Sequence, residues 1–195
     1  MNVYELLEER KAIMHGHFLL ASGNHSDTYV QCQKAFTYPQ DTILVAEELI
    51  KTAKGICDIE ALDAVVAPAL GALVVGYEVA RQLQKPFLFA ERENGKLTFR
   101  RGFAIGPHKR YLTVEDVFTT GSSTMELINL VKAGGGVVDG AVAVVQRQKE
   151  ITLPVPHASL VLLNLPIYEP EACPLCERHV PLEKPGTKQN MQDPL

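Results

Sequence analysis

Short β-branched apolar runs alternate with amphipathic stretches through the middle of this chain, and few architectures accommodate that order. Ala64-Val65-Val66-Ala67, closed by Pro68, is apolar on both sides of its pleat and reads as a buried strand. The runs 87–90, 111–114, 141–145 and 159–165 read the same way. Between them lie segments with helical spacing. Residues 41–54, with Asp41 as a cap, carry Ile43, Val45, Ala46, Leu49 and Ile50 on or near one face. Residues 72–84 form a second helix stopped by Pro86. Residues 122–133 form a third, with Met125, Ile128 and Val131 in a stripe and Gly134 as a C-terminal stop. Strand, helix, strand, loop, strand, helix, strand predicts an α/β fold with a central, mainly parallel sheet flanked by helices.

The remainder of the chain is less regular. Residues 1–11 read as a charged amphipathic helix without the basic-then-apolar build of a signal peptide. Residues 91–109 are polar and broken by glycine, and Asn94-Gly95 is a strong hairpin-turn signal. Residues 177–195, with Pro181, Pro185, Gly186 and Pro194, read as a loosely held tail. No internal repeat is visible.

Composition excludes several classes. With 46% hydrophobic and 22% charged residues the chain is neither disordered, collagen-like nor a coiled coil. Its 195 residues suit a single domain, or one with an appendage. A net charge of −4 argues against a nucleic-acid binder that relies on a broad basic face. No apolar run approaches the ~18 residues needed to span a bilayer, so a cytoplasmic protein with no membrane partner is expected. Cys32, Cys57, Cys173 and Cys176 are too few for a disulfide scaffold.

The segment Tyr111 to Ser123, YLTVEDVFTTGSS, carries the chemistry. A hydrophobic strand delivers Glu115 and Asp116, and Thr119-Thr120-Gly121-Ser122-Ser123 opens a helix. In an open α/β sheet, ligands bind beyond the carboxyl ends of strands. A Thr/Gly/Ser turn at a helix N-terminus offers backbone N–H groups, hydroxyls and the positive end of the helix dipole to a phosphate. Two acids beside such a cradle would repel the phosphate unless they face sugar hydroxyls or a magnesium ion. A ribose phosphate satisfies both halves of the pattern. The alternative is that the acids only cap and the hydroxyls only shape a turn; their placement after a strand favours the ligand.

EDVFTTGSS resembles the 5-phosphoribosyl 1-diphosphate signature of type I phosphoribosyltransferases. Other segments make the chain similar to the orotate phosphoribosyltransferases within that group. GHFLLASGNHSDTYVQ (16–31) resembles the N-terminal substrate segment, and VVAPALGALVVGYEVARQL (65–83) the diphosphate-turn strand and helix. FAERENGKLTFRRGF (89–103) resembles the mobile catalytic loop, and VVQRQ (144–148) the segment whose Arg meets the base. CPLCERHVPLEKPG resembles the tail of the short bacterial form. These motifs are spread over most of the chain.

The resemblance implies the type I phosphoribosyltransferase fold as one domain over residues 1–195, with residues 1–40 and 166–195 as hood and tail segments. It implies transfer of the phosphoribosyl group to orotate, giving orotidine 5′-phosphate and diphosphate in pyrimidine synthesis, with Mg2+ as cofactor. Glu115 and Asp116 would bind the ribose hydroxyls, and Asp116 would also stabilise charge at the anomeric carbon. Val117, Phe118, Thr119, Thr120, Gly121, Ser122 and Ser123 complete the phosphoribosyl contact, and the turn containing Ala69, Leu70 and Gly71 would meet the diphosphate. Thr119 and Arg147 would contact orotate, with Tyr29 and His25 as further candidates. Arg92, Lys96, Arg100 and Arg101 are the catalytic candidates of the loop, which in the family reaches into a neighbouring subunit's site, so a homodimer is expected. A solvated hairpin is the other reading of that loop.

The chain departs from better-known members where Ala21 replaces a Lys before the Ser-Gly of the N-terminal motif, where Arg92, Lys96, Arg100 and Arg101 on a shorter loop replace a Lys-rich one, and where Gly71 stands in place of a diphosphate-binding Lys that some carry. Ala21 admits a phosphoribosyltransferase for another base, such as a purine, and a non-catalytic regulator on the same fold is the third reading. His15, His17 and His25 cluster near the N-terminus and read as surface or base-contacting residues. Cys173 and Cys176 with His179 have the ligand types for zinc, but three ligands are one short of a structural site.

Overall fold

A computed structural model describes residues 2–185; the remainder of the expected tail, including Gly186 and Pro194, lies outside the described residues. Among these residues the chain divides into a large unit, residues 2–12 and 32–164, and a small unit, residues 13–31 and 165–185.

The large unit begins with α1 (Val3–Glu9), closed by a capping box in which Asn2 and Glu5 satisfy each other's backbone N–H groups. Next come α2 (Gln33–Phe36), α3 (Pro39–Lys54), β3 (Ala64–Pro68), α4 (Leu73–Leu83), β4 (Phe87–Glu93) and β5 (Lys96–Phe99). They are followed by β6 (Arg110–Phe118), α5 (Ser122–Ala133), β7 (Val137–Gln146) and β8 (His157–Leu162). The small unit holds β1 (Ile13–Leu19), β2 (His25–Val30), a 3₁₀ turn (Pro170–Ala172) and the single-turn α6 (Pro174–Glu177).

The six-stranded sheet has the order β5-β4-β3-β6-β7-β8, and every pairing is parallel except β4 with β5. The mainly parallel sheet expected from the sequence is present. From β3 the chain moves outward to β4, then returns to place β6 on the other side of β3. The order therefore reverses between β3 and β6, and the loops leaving these two strands diverge around a crevice. Both strands are buried through most of their length, as their unbroken apolar runs require. Leu127, Ile128 and Val131 of α5 pack with Val66, Tyr111, Ala141 and Ala143 in one core cluster.

The structure corrects several boundaries. Strand β6 continues through Phe118, so Glu115 and Asp116 lie within it rather than beyond its end. Helix α3 starts at Pro39, with Tyr38 as its N-cap; Asp41 is instead buried in the first turn and bonded to Arg10. The polar stretch after residue 90 completes a β4–β5 hairpin, with positive φ at Asn94 and Gly95 as a type I′ turn requires.

In the small unit, β1 and β2 pair antiparallel. Each edge is then bonded by the C-terminal segment. Tyr168 exchanges both backbone hydrogen bonds with His25 (2.9 Å each). The Glu183 N–H donates to His17 O, and the Leu19 N–H donates to Glu183 O (both 2.8 Å). The described part of the expected loose tail is therefore held against β1.

Leu112 is fully buried in the central strand β6. Leu112→Ala should lower the unfolding free energy by about 2–5 kcal/mol through lost burial and a residual cavity, read from urea denaturation midpoints at unchanged m-value.

Candidate active site

Near the end of β6 stand two neighbouring acids, whose side chains share a hydrogen bond. Glu115 is buried and accepts a hydrogen bond from the Thr124 hydroxyl of α5 at 3.3 Å. Burial, and then the adjacent Asp116 charge, push the Glu115 carboxyl well above the usual carboxylate range, which favours its neutral form. Asp116 is half-buried, and its Oδ2 accepts from Gln33 Nε2 at 2.7 Å. The same Gln33 amide donates to Gly71 O at 3.1 Å, joining the acid to the turn after β3. Cys32, buried beneath, places Sγ 3.7 Å from Asp116 O, and burial raises its thiol pKa well above the ordinary value.

The turn Ala69-Leu70-Gly71-Ala72 follows β3, contains a cis peptide between Ala69 and Leu70, and exposes Leu70 to solvent. A Cβ on Gly71 would run into the Asp116 carboxylate, so glycine here is demanded by close approach.

Val117 is half-buried, Phe118 is buried, and Thr119 and Thr120 are exposed after them. Gly121 is the N-cap of α5 at φ +79°, a conformation that favours glycine. Having no side chain, it supplies no cap bond to the first-turn N–H groups. The Thr120 hydroxyl donates to Ser122 Oγ at 3.1 Å, and Ser123 lies one residue further along the helix. The turn therefore presents hydroxyls and backbone donors together at the positive end of a 12-residue helix.

Of the basic candidates, Arg92 reaches this turn. Arg92 donates to Ser123 Oγ (3.2 Å), Glu126 Oε2 (3.0 Å) and Gly95 O (2.8 Å), tying the hairpin to the start of α5. Arg101 makes a two-pronged pair with Glu91 at 2.9 and 3.0 Å, and Arg100 lies 3.4 Å from Glu93. Lys96 is exposed at the start of β5. Arg147 directly follows β7, and its backbone N–H donates to Phe118 O at 2.9 Å, which sets it beside the carboxyl end of β6.

The remaining candidates belong to the small unit. Tyr29 is half-buried and packs on Phe18 with ring centroids 5.8 Å apart. His25 is buried, its Nδ1 3.0 Å from His17 Nε2. Cys173 and Cys176 join these two histidines in one group, and His179 falls outside it.

Gln33 escaped the sequence reading, because nothing in its local pattern marks a residue that bridges two loops distant in sequence. Gly71 offered a signal, a glycine just beyond a buried strand, which the resemblance presented as a departure.

Glu115 yields a pH prediction. Its carboxyl binds a proton more tightly folded than unfolded, so its contribution to stability is intact below the ordinary carboxylate pKa. That contribution is lost as pH rises from there through the raised folded value. Glu115→Gln should therefore gain stability relative to the parent as pH rises from 4 to 8, measured by denaturation at each pH, with the two converging at the acid end.

No protein-family model matches the chain. Whole-length relatives do. It is 46% identical over 188 residues to orotate phosphoribosyltransferase of Caldanaerobacter subterraneus subsp. tengcongensis, covering 96% of this chain and 97% of that protein. It is 45% identical over 187 residues to the orotate phosphoribosyltransferase of Thermotoga maritima, covering 95% and 98%. Among solved structures, orotate phosphoribosyltransferase from Aeropyrum pernix superposes with TM-score 0.71 at 24% identity, over 83% of this chain and 94% of that one. Adenine phosphoribosyltransferase from Thermoanaerobacter pseudethanolicus shares the fold with TM-score 0.60 at 16% identity, over 70% and 88%. With the switch-point crevice, the paired acids and the hydroxyl-rich helix start in place, these relatives show that the chain belongs to the orotate phosphoribosyltransferase family.

Proposed function

We propose that this chain transfers the phosphoribosyl group of 5-phosphoribosyl 1-diphosphate to orotate, giving orotidine 5′-phosphate and diphosphate. The observation that carries the reading is the junction of β3, β6 and α5, where Asp116, Gly71 and the turn 119–123 converge. A ring nitrogen of orotate replaces diphosphate at the anomeric carbon, its N–H proton passing to solvent, and the electron pair of the breaking C–O bond leaves with the diphosphate. Positive character grows on the sugar ring in between.

Each part of the crevice suits one part of this substrate pair. The hydroxyls and amides of Thr119 to Ser123 hold the 5′-phosphate. Asp116, held by Gln33, faces the ribose hydroxyls and the developing positive charge. Glu115, favoured neutral without ligand, can donate to or accept from a sugar hydroxyl. The backbone of Ala69, Leu70 and Gly71 meets the diphosphate, close to Asp116 because glycine leaves the space. Arg147 and Thr119 meet orotate, a planar anion whose carboxylate and carbonyl suit a guanidinium fork. Tyr29 remains a candidate for stacking on the base. His25 is given no part in base recognition, because its ring is buried against His17 and two cysteines.

Oxygen ligands of substrate and carboxylate match a hard cation, and Mg2+ held mainly by the diphosphate would neutralise the leaving group. Arg92, Arg100 and Arg101 are paired with Glu126, Glu93 and Glu91 at the surface. Exposed pairs of this kind are worth about 0–1 kcal/mol, so exchanging a carboxylate partner for a diphosphate is inexpensive. Closure of the hairpin loop over a neighbouring subunit's site, in a cytoplasmic homodimer, completes the reading.

The test is diphosphate release with the donor, magnesium and a panel of bases. Release with orotate alone is expected; release with adenine, guanine or hypoxanthine instead would replace orotate, and donor binding without release would make the chain a regulator. Asp116→Asn should lower kcat about 100-fold or more while the fold persists. Arg101→Ala should slow turnover with orotate, and an unchanged rate would remove that residue from the mechanism.

A further inference from the structure

In the small unit, His17 of β1, His25 of β2, Cys173 at the N-cap of α6 and Cys176 within it bring four ligand atoms within 4.8 Å of one another. The distances resemble the edges of a coordination tetrahedron. His17 Nε2 lies 3.0 Å from His25 Nδ1, 3.4 Å from Cys173 Sγ and 3.7 Å from Cys176 Sγ, and Cys176 Sγ lies 3.4 Å from His25 Nδ1. A tetrahedral centre with Zn–N about 2.0–2.1 Å and Zn–S about 2.3 Å has edges of about 3.3 Å between nitrogens and about 3.6 Å from nitrogen to sulfur.

Hydrogen bonding among the four groups explains this arrangement poorly. Val180 O can only accept, so the contact at 2.8 Å makes His17 Nδ1 the protonated nitrogen. In the neutral ring, Nε2 is left with one in-plane lone pair, yet three groups converge on it. One lone pair serves one donor; a cation at the centre serves all four groups at once. The bond to Val180 is also the outer contact that orients a metal-bound imidazole.

The Cys-Pro-Leu-Cys spacing on one helical turn places both sulfurs on the same side. His17, His25 and Cys173 are buried, and Cys176 is at the surface, leaving a path for entry. On binding, each thiol gives its proton to solvent, so a divalent ion with two thiolates and two neutral imidazoles carries no net charge. Such a centre suits a largely buried position.

We infer that His17, His25, Cys173 and Cys176 form a structural zinc site that fastens the β1–β2 hairpin to the C-terminal segment. Soft sulfur with imidazole nitrogen in a closed tetrahedron selects zinc over magnesium or calcium. A two-stranded hairpin with two short turns buries little by itself, and small units of this kind commonly rely on a metal or disulfide for stability. The ligands lie 148 to 159 residues apart across the two segments, so one ion ties together stretches of chain distant in sequence. His179 takes no part.

The test uses the full chain. Elemental analysis after dialysis against Zn2+ and then metal-free buffer should find about one zinc per chain. Replacing Zn2+ with Co2+ in the unaltered protein should give the intense visible bands of a tetrahedral ion with thiolate charge transfer. Cys176→Ser and His25→Ala should weaken Zn2+ retention at least 100-fold in competition with a chromophoric chelator, and His179→Ala should leave it unchanged. Zinc should also slow labelling of both thiols and hydrogen exchange over residues 13–31 and 165–185. Loss of all zinc on dialysis, a weak octahedral cobalt spectrum, or thiol labelling at the same rate with and without zinc would overturn the site.

Discussion

Two carboxylates on adjacent residues of a buried strand repel each other and lose hydration together, and the rest of the large unit is arranged around that difficulty. Holding one proton eases the conflict: burial, the Asp116 charge and a hydrogen bond between the two side chains all favour a protonated Glu115. Glu115 enters the side covered by α5, meets Thr124, and favours its neutral form because burial and its neighbour oppose a charge. Asp116 turns toward Gln33 and the β3 turn. The acid pair thereby fixes its own neighbours: a glycine at 71, a glutamine at 33 and a hydroxyl at 124.

The sheet order places these neighbours where a ligand can reach them. Because the chain reverses direction across the sheet between β3 and β6, the two loops that matter leave adjacent strands and open onto one crevice. A net charge of −4 is compatible with an anionic substrate under this arrangement. Backbone donors, hydroxyls and a helix terminus supply positive potential locally, while arginines at the surface are paired with glutamates.

Much of this was legible in the sequence because it is local. The boundaries of α5 are those that its Ser start and Gly134 stop predict, and β3 is visible as an apolar run ended by proline. The extension of β6 past Asp116 was not legible, since two acids look like the end of a strand until the partners that satisfy them are known. Gln33 and the His17–His25–Cys173–Cys176 group were beyond reach for a different reason. Each depends on residues far apart in the chain, and the histidines at 15, 17 and 25 look alike until strand pairing turns one outward and two inward. His179 follows Cys176 at a spacing that suggests a ligand, yet its N–H closes the turn on Cys176 O and its ring remains exposed.

The close approach of Gly71 to Asp116 limits how such a crevice can change over time. With the backbone where it stands, any side chain at 71 must displace the carboxylate that Gln33 holds. A side chain at 71 therefore acts first on the Asp116–Gln33 contact, and its effect in this chain depends on how far that carboxylate can shift.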